Sequence, residues 1–373
     1  MCTAVDFMGL PLKNPVIVAA GPWSRDAASI QKAIDAGAAA VVTETITLEK
    51  SQLLRPRIYR QEGRLLNTTL YSTLSFEQLE RELSQVRKGD SFLICNIRGG
   101  TPSELAYTAT AVERFGADAL ELCCFTPIGT KMENLAIHPD EIYEMIRQVT
   151  QKVSVPVMVR LPHHAASSRE FVQAVERAGA KAVSAIETLS GLIGVDVERG
   201  RSRTPTIGGY SGPHIRPVSL AATAMLSQLA DCQIASMGGV EDALSALEFL
   251  MLGASVVQLG SAVLLGGYGR ITRTVEDLEA WMRVHRYGSV EELRGIALDS
   301  LSPFEEILTR RLHASLDSPC GQSCGEGGCP CVTACLDGAV VREGDRVRVV
   351  RERCSGCGLC VSLCPGGHFS LRK

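Results

Sequence analysis

The sequence predicts an α/β chain in which residues 1–270 close into a (β/α)₈ barrel, the TIM-barrel architecture. Residues 271–316 supply closing helices and a linker, and residues 317–373 form a small cysteine-dense α+β domain. Three observations carry this reading. Over the first 265 residues, short β-rich apolar runs alternate with longer stretches of helical spacing. The helical stretches tend to end on a glycine phrase, as in DAGAAAVV, RFGADALEL, RAGAKAVSA and MLGASVVQL, where glycine can adopt the left-handed conformation that stops a helix. And of the 14 cysteines, nine lie in the last 54 residues.

In chain order, the predicted strands are 16–20 (VIVAA), 39–44 (AAVVTE), 92–97 (FLICNI), 119–124 (ALELCC), 155–161 (VPVMVRL), 182–189 (AVSAIETL), 232–238 (CQIASMG) and 255–261 (SVVQLGS). Helices are expected over 26–37, 76–88, 102–115, 139–152, 168–179, 217–230 and 241–252. Near-continuous apolar strands imply a parallel sheet covered on both faces. Eight of them favour closure over a doubly wound open sheet, which uses fewer strands and keeps its edges. Residues 45–91 and 190–231 are too long for simple connections, so they should carry insertions at the rim where barrel sites lie. Residues 270–316 (VEDLEAWMRVHRYG, VEELRGIALDSL, FEEILTRRL) have helical patterning with one polar face.

Composition excludes several classes. A net charge of −3 without Lys/Arg runs argues against nucleic acid or an anionic membrane as partner. The N-terminus lacks a basic flank and apolar core, and no apolar run reaches the roughly 18 residues of a membrane helix. A cytoplasmic protein is expected. In that setting a cysteine cluster binds metal; it does not form a disulfide framework.

The tail 354–365 reads C-x₂-C-x₂-C-x₃-C-P through Cys354, Cys357, Cys360 and Cys364, the bacterial ferredoxin spacing for a [4Fe–4S] cluster. Zinc would use two separated C-x₂-C pairs. In two-cluster ferredoxins the fourth cysteine of each run serves the other cluster. An altered upstream run exists at Cys320, Cys324, Cys329, Cys331 and Cys335, of which Cys331-x₃-Cys335 fits the pattern. Cys335 is therefore assigned with Cys354, Cys357 and Cys360. Cys331 and Cys364 would join two of Cys320, Cys324 and Cys329, leaving one or two clusters open. The tail is accordingly a ferredoxin-like α+β iron–sulfur domain.

Glycine clusters at Gly208-Gly209-Tyr210-Ser211-Gly212-Pro213, Gly238-Gly239 and Gly260-Ser261 lie at or near the last strand ends. Such turns aim backbone N–H groups at a phosphate. The stretch IGGYSGPHIRPVSL…IASMGGVEDALSALEFLMLGASVVQLGSAV resembles the FMN phosphate region of the dihydroorotate dehydrogenase family. So do LPLKNPVIVAAGP, VVTETITLEKS, GADALELCCFTP, VPVMVRLP and AIETLSGL. With the iron–sulfur tail, the layout is most similar to the C-terminal half of dihydropyrimidine dehydrogenase and its bacterial stand-alone counterpart.

The resemblance implies FMN, one or two [4Fe–4S] clusters, and C–C/C=C redox chemistry on a small molecule. It places Ala20, Gly21, Asn96 and Arg160 at the flavin ring, with Arg160 in the position of a flavin-contacting lysine. It places Gly212, Gly238, Gly239, Gly260 and Ser261 at the phosphate. Thr126 stands where the family keeps the residue that exchanges a proton, and Asn67 and Thr188 stand at the substrate. No Gly-x-Gly-x-x-Gly unit marks an NAD(P) site, so electrons should pass through a partner, a flavin/NAD(P) subunit or a ferredoxin, in a homodimer or hetero-oligomer. A non-catalytic electron-transfer subunit is the alternative from another class; a pyrimidine or dihydroorotate dehydrogenase proper is the third reading.

The departures fall at the substrate: Glu44 replaces a lysine, and Cys123 and Glu187 replace asparagines. Carboxylates only accept hydrogen bonds. Glu44 and Glu187 would repel an anionic substrate such as orotate and suit one rich in N–H or O–H donors or positively charged, unless Arg98, Arg201 or Arg203 neutralises them. Against these assignments, Thr126 beside Pro127 would serve as a loop cap, and Cys123-Cys124 as buried strand thiols. His163-His164 would be ordinary loop histidines. Lys131 and the acidic helices read as solvated faces.

Overall fold

The computed structural model describes residues 2–49, 53–125, 128, 138–307, 312–319, 329–344 and 346–373. Eight parallel strands close into a barrel: β1 (Val16–Val18), β2 (Ala40–Val42), β3 (Phe92–Ile97), β4 (Ala119–Cys123), β5 (Val157–Leu161), β6 (Ala182–Ala185), β7 (Gln233–Met237) and β8 (Val256–Leu259), with β8 returning to β1. These are the eight expected segments, shortened mainly at their carboxyl ends. Ala20, Glu44, Glu187, Gly238 and Gly260 leave the ladder there, so their side chains and amides turn to the rim. The helices Ala27–Asp35, Phe76–Ser84, Pro102–Arg114, Pro139–Thr150, Arg169–Arg177, Arg216–Leu229 and Ala243–Met251 cover the outside. Several are started by their own sequence: the side chains of Asp26 and Ser75 each accept from the backbone N–H three residues on, and their own backbone N–H donates to the side chain of Ser29 or Gln78 in return. With helices outside and a packed interior, β2, β4, β5, β6 and β8 are buried along their whole length.

The two long insertions meet. Ile58–Gln61 and Arg64–Asn67 from the first join Gly208–Ser211 and Leu189–Gly191 from the second in a four-stranded antiparallel sheet. The sequence reading expected loops. Pairing across about 140 residues of chain is what turns them into strands, and local pattern cannot show it.

The region 270–316 departs from expectation. Among the described residues of this region, Gly269–Val284 is the one α-helix, and Leu298–Ser300 and Phe304–Glu306 are single 3₁₀ turns. Gly295 at φ +80° and Pro303 interrupt the pattern. The chain divides into compact units at Met1–Leu301 and Ser302–Lys373. The second unit therefore begins earlier than residue 317, because the strand β9 (His313–Leu316) pairs antiparallel with β12 (Phe369–Arg372). A second hairpin joins β10 (Val340–Glu343) to β11 (Arg346–Val349), and short helices span Pro330–Thr333 and Leu359–Leu363. Among the described residues, its core consists of Ala314, Val340 and Phe369 with Cys329, Cys331, Cys360 and Cys364, and Leu316, Val332, Val347 and Val349 pack against it.

Candidate active site and cysteine centre

At the carboxyl ends of the strands the barrel opens into a cavity with about 1100 Å³ of empty space, counting its mouth open to solvent. Ala20 and Gly21 reach it from β1, Arg160 from β5, and Gly238, Gly239, Gly260 and Ser261 from β7 and β8. Gly212 reaches it from the inserted sheet. So do Glu44, Asn67, Cys123, Glu187 and Thr188, the residues expected at the substrate. The glycine turns have a steric reason. Gly238 and Gly239 have φ of +102° and +92°, and a Cβ on Gly239 would lie 2.5 Å from Cβ of Arg216, at the start of the helix Arg216–Leu229. At Gly212, with φ of +96°, an added Cβ would lie in ordinary contact with Leu65 Cβ at 3.9 Å and Ser261 Oγ at 4.0 Å, so the inserted sheet and the end of β8 face each other there. Trp23 lies across β1 and β8: a Cβ on Gly21 would come within 2.4 Å of its indole, whose Nε1 donates to Ala19 O at 2.6 Å.

Beneath the cavity lies a residue the sequence reading passed over. Glu121, on β4, is fully buried and accepts four bonds. Asn96 and Arg160 donate to one carboxylate oxygen, Arg160 at 2.5 Å; Ser184 and Gln258 donate to the other, at 2.7 and 3.3 Å. The ladder puts Asn96 opposite Glu121 and Arg160 opposite Ser184, so these side chains share a layer. A carboxylate within ALELCC was the available signal, because a charged residue in a buried strand requires partners. Gln258 in VVQLGS offered the same signal, and it lines the cavity.

Arg160 also approaches Glu187 at 3.8 Å. Burial works against its charge, but Glu121, Cys123 and Glu187 outweigh burial and hold it a cation. Burial pushes Glu187 up to about 7, with Arg160 pulling down and Glu121 pushing further up. Glu44 is likewise pushed up to about 7 by burial, against the pull of Arg57 and Arg25. The cation beside Glu187 is thus Arg160. Arg98 stacks on Tyr71 and approaches Glu49 at 4.0 Å, and Arg201 and Arg203 are exposed. Cys123 and Cys124 are buried, and burial lifts both thiols well above their usual range. Neither is poised as a thiolate.

One expected position lies elsewhere. Asn96 does not line the cavity; it is completely buried and holds Glu121 from below. Thr126 lies outside the described residues, as do Pro127 and Lys131. His163 and His164 pack edge to face, His164 also against Phe125 and Phe171, away from the cavity lining.

In the second unit, Cys335, Cys354, Cys357 and Cys360, the four assigned together, line one cavity with Cys331. Ala339 N and Val340 N donate to Cys335 Sγ at 3.3 and 3.4 Å, and Ala314 N to Cys354 Sγ at 3.3 Å. Amide donors of this kind stabilise thiolate charge. Cys331 neighbours Cys329 and Cys364 closely enough that burial and both thiols raise it to about 12. Cys320 and Cys324 lie outside the described residues. Among the described residues, no three His, Cys, Asp or Glu side chains converge on a point fit for one metal ion. A cavity ringed by these thiols suits a multi-iron cluster, whose thiolates each take a different iron, better than zinc.

The barrel cavity fits FMN by its own features. Glycine turns face the space a phosphate needs, and Arg160 Nε and Gln258 Oε1 are buried without a partner, a donor and an acceptor for a polar ring edge. Comparison with known proteins agrees. Residues 2–282 match the family model for dihydroorotate dehydrogenase, and residues 347–367 match that for the 4Fe-4S binding domain. The catalytic subunit of dihydroorotate dehydrogenase B (NAD(+)) from Pyrococcus abyssi is 33% identical over 300 residues, covering 79% of this chain and 98% of its own. That from Methanothermobacter thermautotrophicus is 30% identical over 294 residues, covering 78% and 96%. The chloroplastic dihydropyrimidine dehydrogenase (NADP(+)) of Arabidopsis thaliana is 26% identical over 348 residues, covering 83% and 80%.

Proposed function

The chain belongs to the dihydroorotate dehydrogenase family of FMN oxidoreductases and carries a 4Fe–4S domain; from that premise we propose how its residues divide the work. Bound FMN would supply the hydride and single-electron chemistry of a CH–CH/C=C interconversion. The amides of Gly212, Gly238, Gly239, Gly260 and Ser261 would hold its phosphate, and Ala20 and Gly21 would lie at its ring. Arg160, fixed by Glu121, would offer a cation to the negative charge of the reduced ring. Asn67, Thr188, Cys123, Glu44 and Glu187 surround a small-molecule substrate, and Thr126 moves the proton. Cys335, Cys354, Cys357 and Cys360 hold one cluster, and Cys331, Cys364 and Cys329 contribute to a second, completed by Cys320 or Cys324. Electrons pass to or from a separate subunit or ferredoxin, in a homodimer or hetero-oligomer in the cytoplasm, where thiols stay reduced. Among the described residues no helix is long and apolar enough to cross a membrane.

One observation carries this reading: of the described residues expected at flavin and substrate, all but Asn96 line a single cavity at the barrel's carboxyl rim. The test is anaerobic purification with flavin and iron analysis. About one FMN per chain, bleached by substrate, is expected. Iron without flavin, and no spectral response to any small molecule, would leave only an electron carrier.

A further inference from the structure

Glu44 and Glu187 are each more than nine-tenths buried, and each leaves one carboxylate oxygen without a hydrogen-bond partner. Both line the barrel cavity. Glu44 follows β2 and Glu187 follows β6, strands four apart in a closed ring of eight, so the two carboxylates enter from opposite sides. Buried acceptors without donors are costly and are rarely left so, which means these oxygens await donors from a ligand. The balance of charge points the same way. Among the described lining residues, the carboxylates and cations are Glu44, Glu187 and Arg160, and the guanidinium is already held by Glu121 at 2.5 Å. Arg25 is exposed and paired with Asp26 at 2.9 Å, and Arg98 is turned to Tyr71 and Glu49. Arg57 acts on Glu44 only through space. An anion entering here meets two carboxylates and one engaged cation.

On the reading that this cavity is the active site, we propose that its substrate is a small nitrogen-bearing molecule, cationic or rich in N–H donors and without an acid group, received by Glu44 on one side and Glu187 on the other. Leu70, Tyr71 and Ile186 supply apolar surface for a planar body. Asn67 and Thr188, which both donate and accept, complete the polar edge. A ligand N–H to either glutamate is a charge-assisted bond, and rejection of an acid follows from the same two groups.

The test uses the FMN-loaded holoenzyme under anaerobic conditions, with binding read as perturbation of the flavin absorption band. Three planar probes are titrated: 2,4-diaminopyrimidine, which protonates near neutrality and carries N–H donors on separated edges; uracil, which is neutral; and orotate, which is anionic. Diaminopyrimidine is expected to bind at least about tenfold tighter than uracil, and uracil tighter than orotate. Glu44→Gln and Glu187→Gln should each narrow the first gap by about tenfold. The ranking in the unsubstituted enzyme decides the matter even where a variant folds poorly. Orotate binding as tightly as diaminopyrimidine, or a ranking unmoved in both variants, overturns the proposal. Those outcomes require bound flavin. A preparation without flavin overturns the assignment of the cavity, and this proposal with it.

Discussion

Replacing Glu121 tests whether one carboxylate organises the floor of the site. In Glu121→Gln, the new amide nitrogen can face Ser184, whose hydroxyl rotates to accept, and Gln258, whose Oε1 has no partner and can flip to meet it. The remaining oxygen still receives Asn96 and Arg160. What is lost is the negative charge opposite Arg160, for which Glu187 at 3.8 Å partly substitutes. A cost of about 2 kcal/mol follows, within the range of a single charge-assisted bond. Glu121→Leu removes all four acceptances and strands a buried guanidinium. Breaking a buried pair by removing one partner costs about 3–5 kcal/mol, so a loss on the order of 5 kcal/mol is expected, with weak flavin retention. Guanidinium unfolding followed by tryptophan fluorescence isolates the effect, because Trp23 and Trp281 both lie in the barrel unit. A leucine variant within about 0.5 kcal/mol of the parent would refute the reasoning. Equal damage from Gln and Leu would refute the rearrangement proposed for Gln258.

Three further outcomes are expected. The carboxyls of Glu44 and Glu187, both near 7 when folded against 4.5 ordinarily, bind more protons in the folded than in the unfolded chain between those values. Barrel stability should therefore fall as pH rises from about 4.5 through about 7. Glu44→Gln should gain up to about 3 kcal/mol over the parent at pH 8 and nothing near pH 4, so parallel pH profiles would contradict the burial argument. Gly239→Ala drives a Cβ to within 2.5 Å of Arg216 at φ +92°. At least about tenfold weaker FMN retention is expected. Gly267→Ala, at φ +75° with nothing within 4 Å, should cost only about 1 kcal/mol and keep its flavin. Cys335→Ser and Cys364→Ser should each remove about half the iron and sulfide, from different clusters, while Cys232→Ser should remove none. Iron unchanged in Cys364→Ser would mean a single cluster.

The sequence by itself determined what depends on neighbours along the chain. The eight barrel strands, the seven helices that follow them, the glycine turns and the C-x₂-C-x₂-C-x₃-C-P run are all local patterns: apolar runs, capping residues, positions that only glycine can occupy, and spacings set by the wrap of a few residues around a cluster. The closed parallel order followed, because eight strands buried on both faces leave few other arrangements. Tertiary structure decided what depends on which side chain meets which. It showed that Glu121 gathers Asn96, Arg160, Ser184 and Gln258 into one layer, and that Arg160, not Arg98, stands beside Glu187. It showed that Asn96 lies under the cavity, and that two distant insertions pair into one sheet. Inward register is fixed only when the ring closes, and a long-range strand pair exists only when both partners are in place. Hydrogen bonds across a barrel, unlike a helix cap, therefore leave in the order of residues a polar letter in an apolar run, as at Glu121 and Gln258, and no sign of its partners.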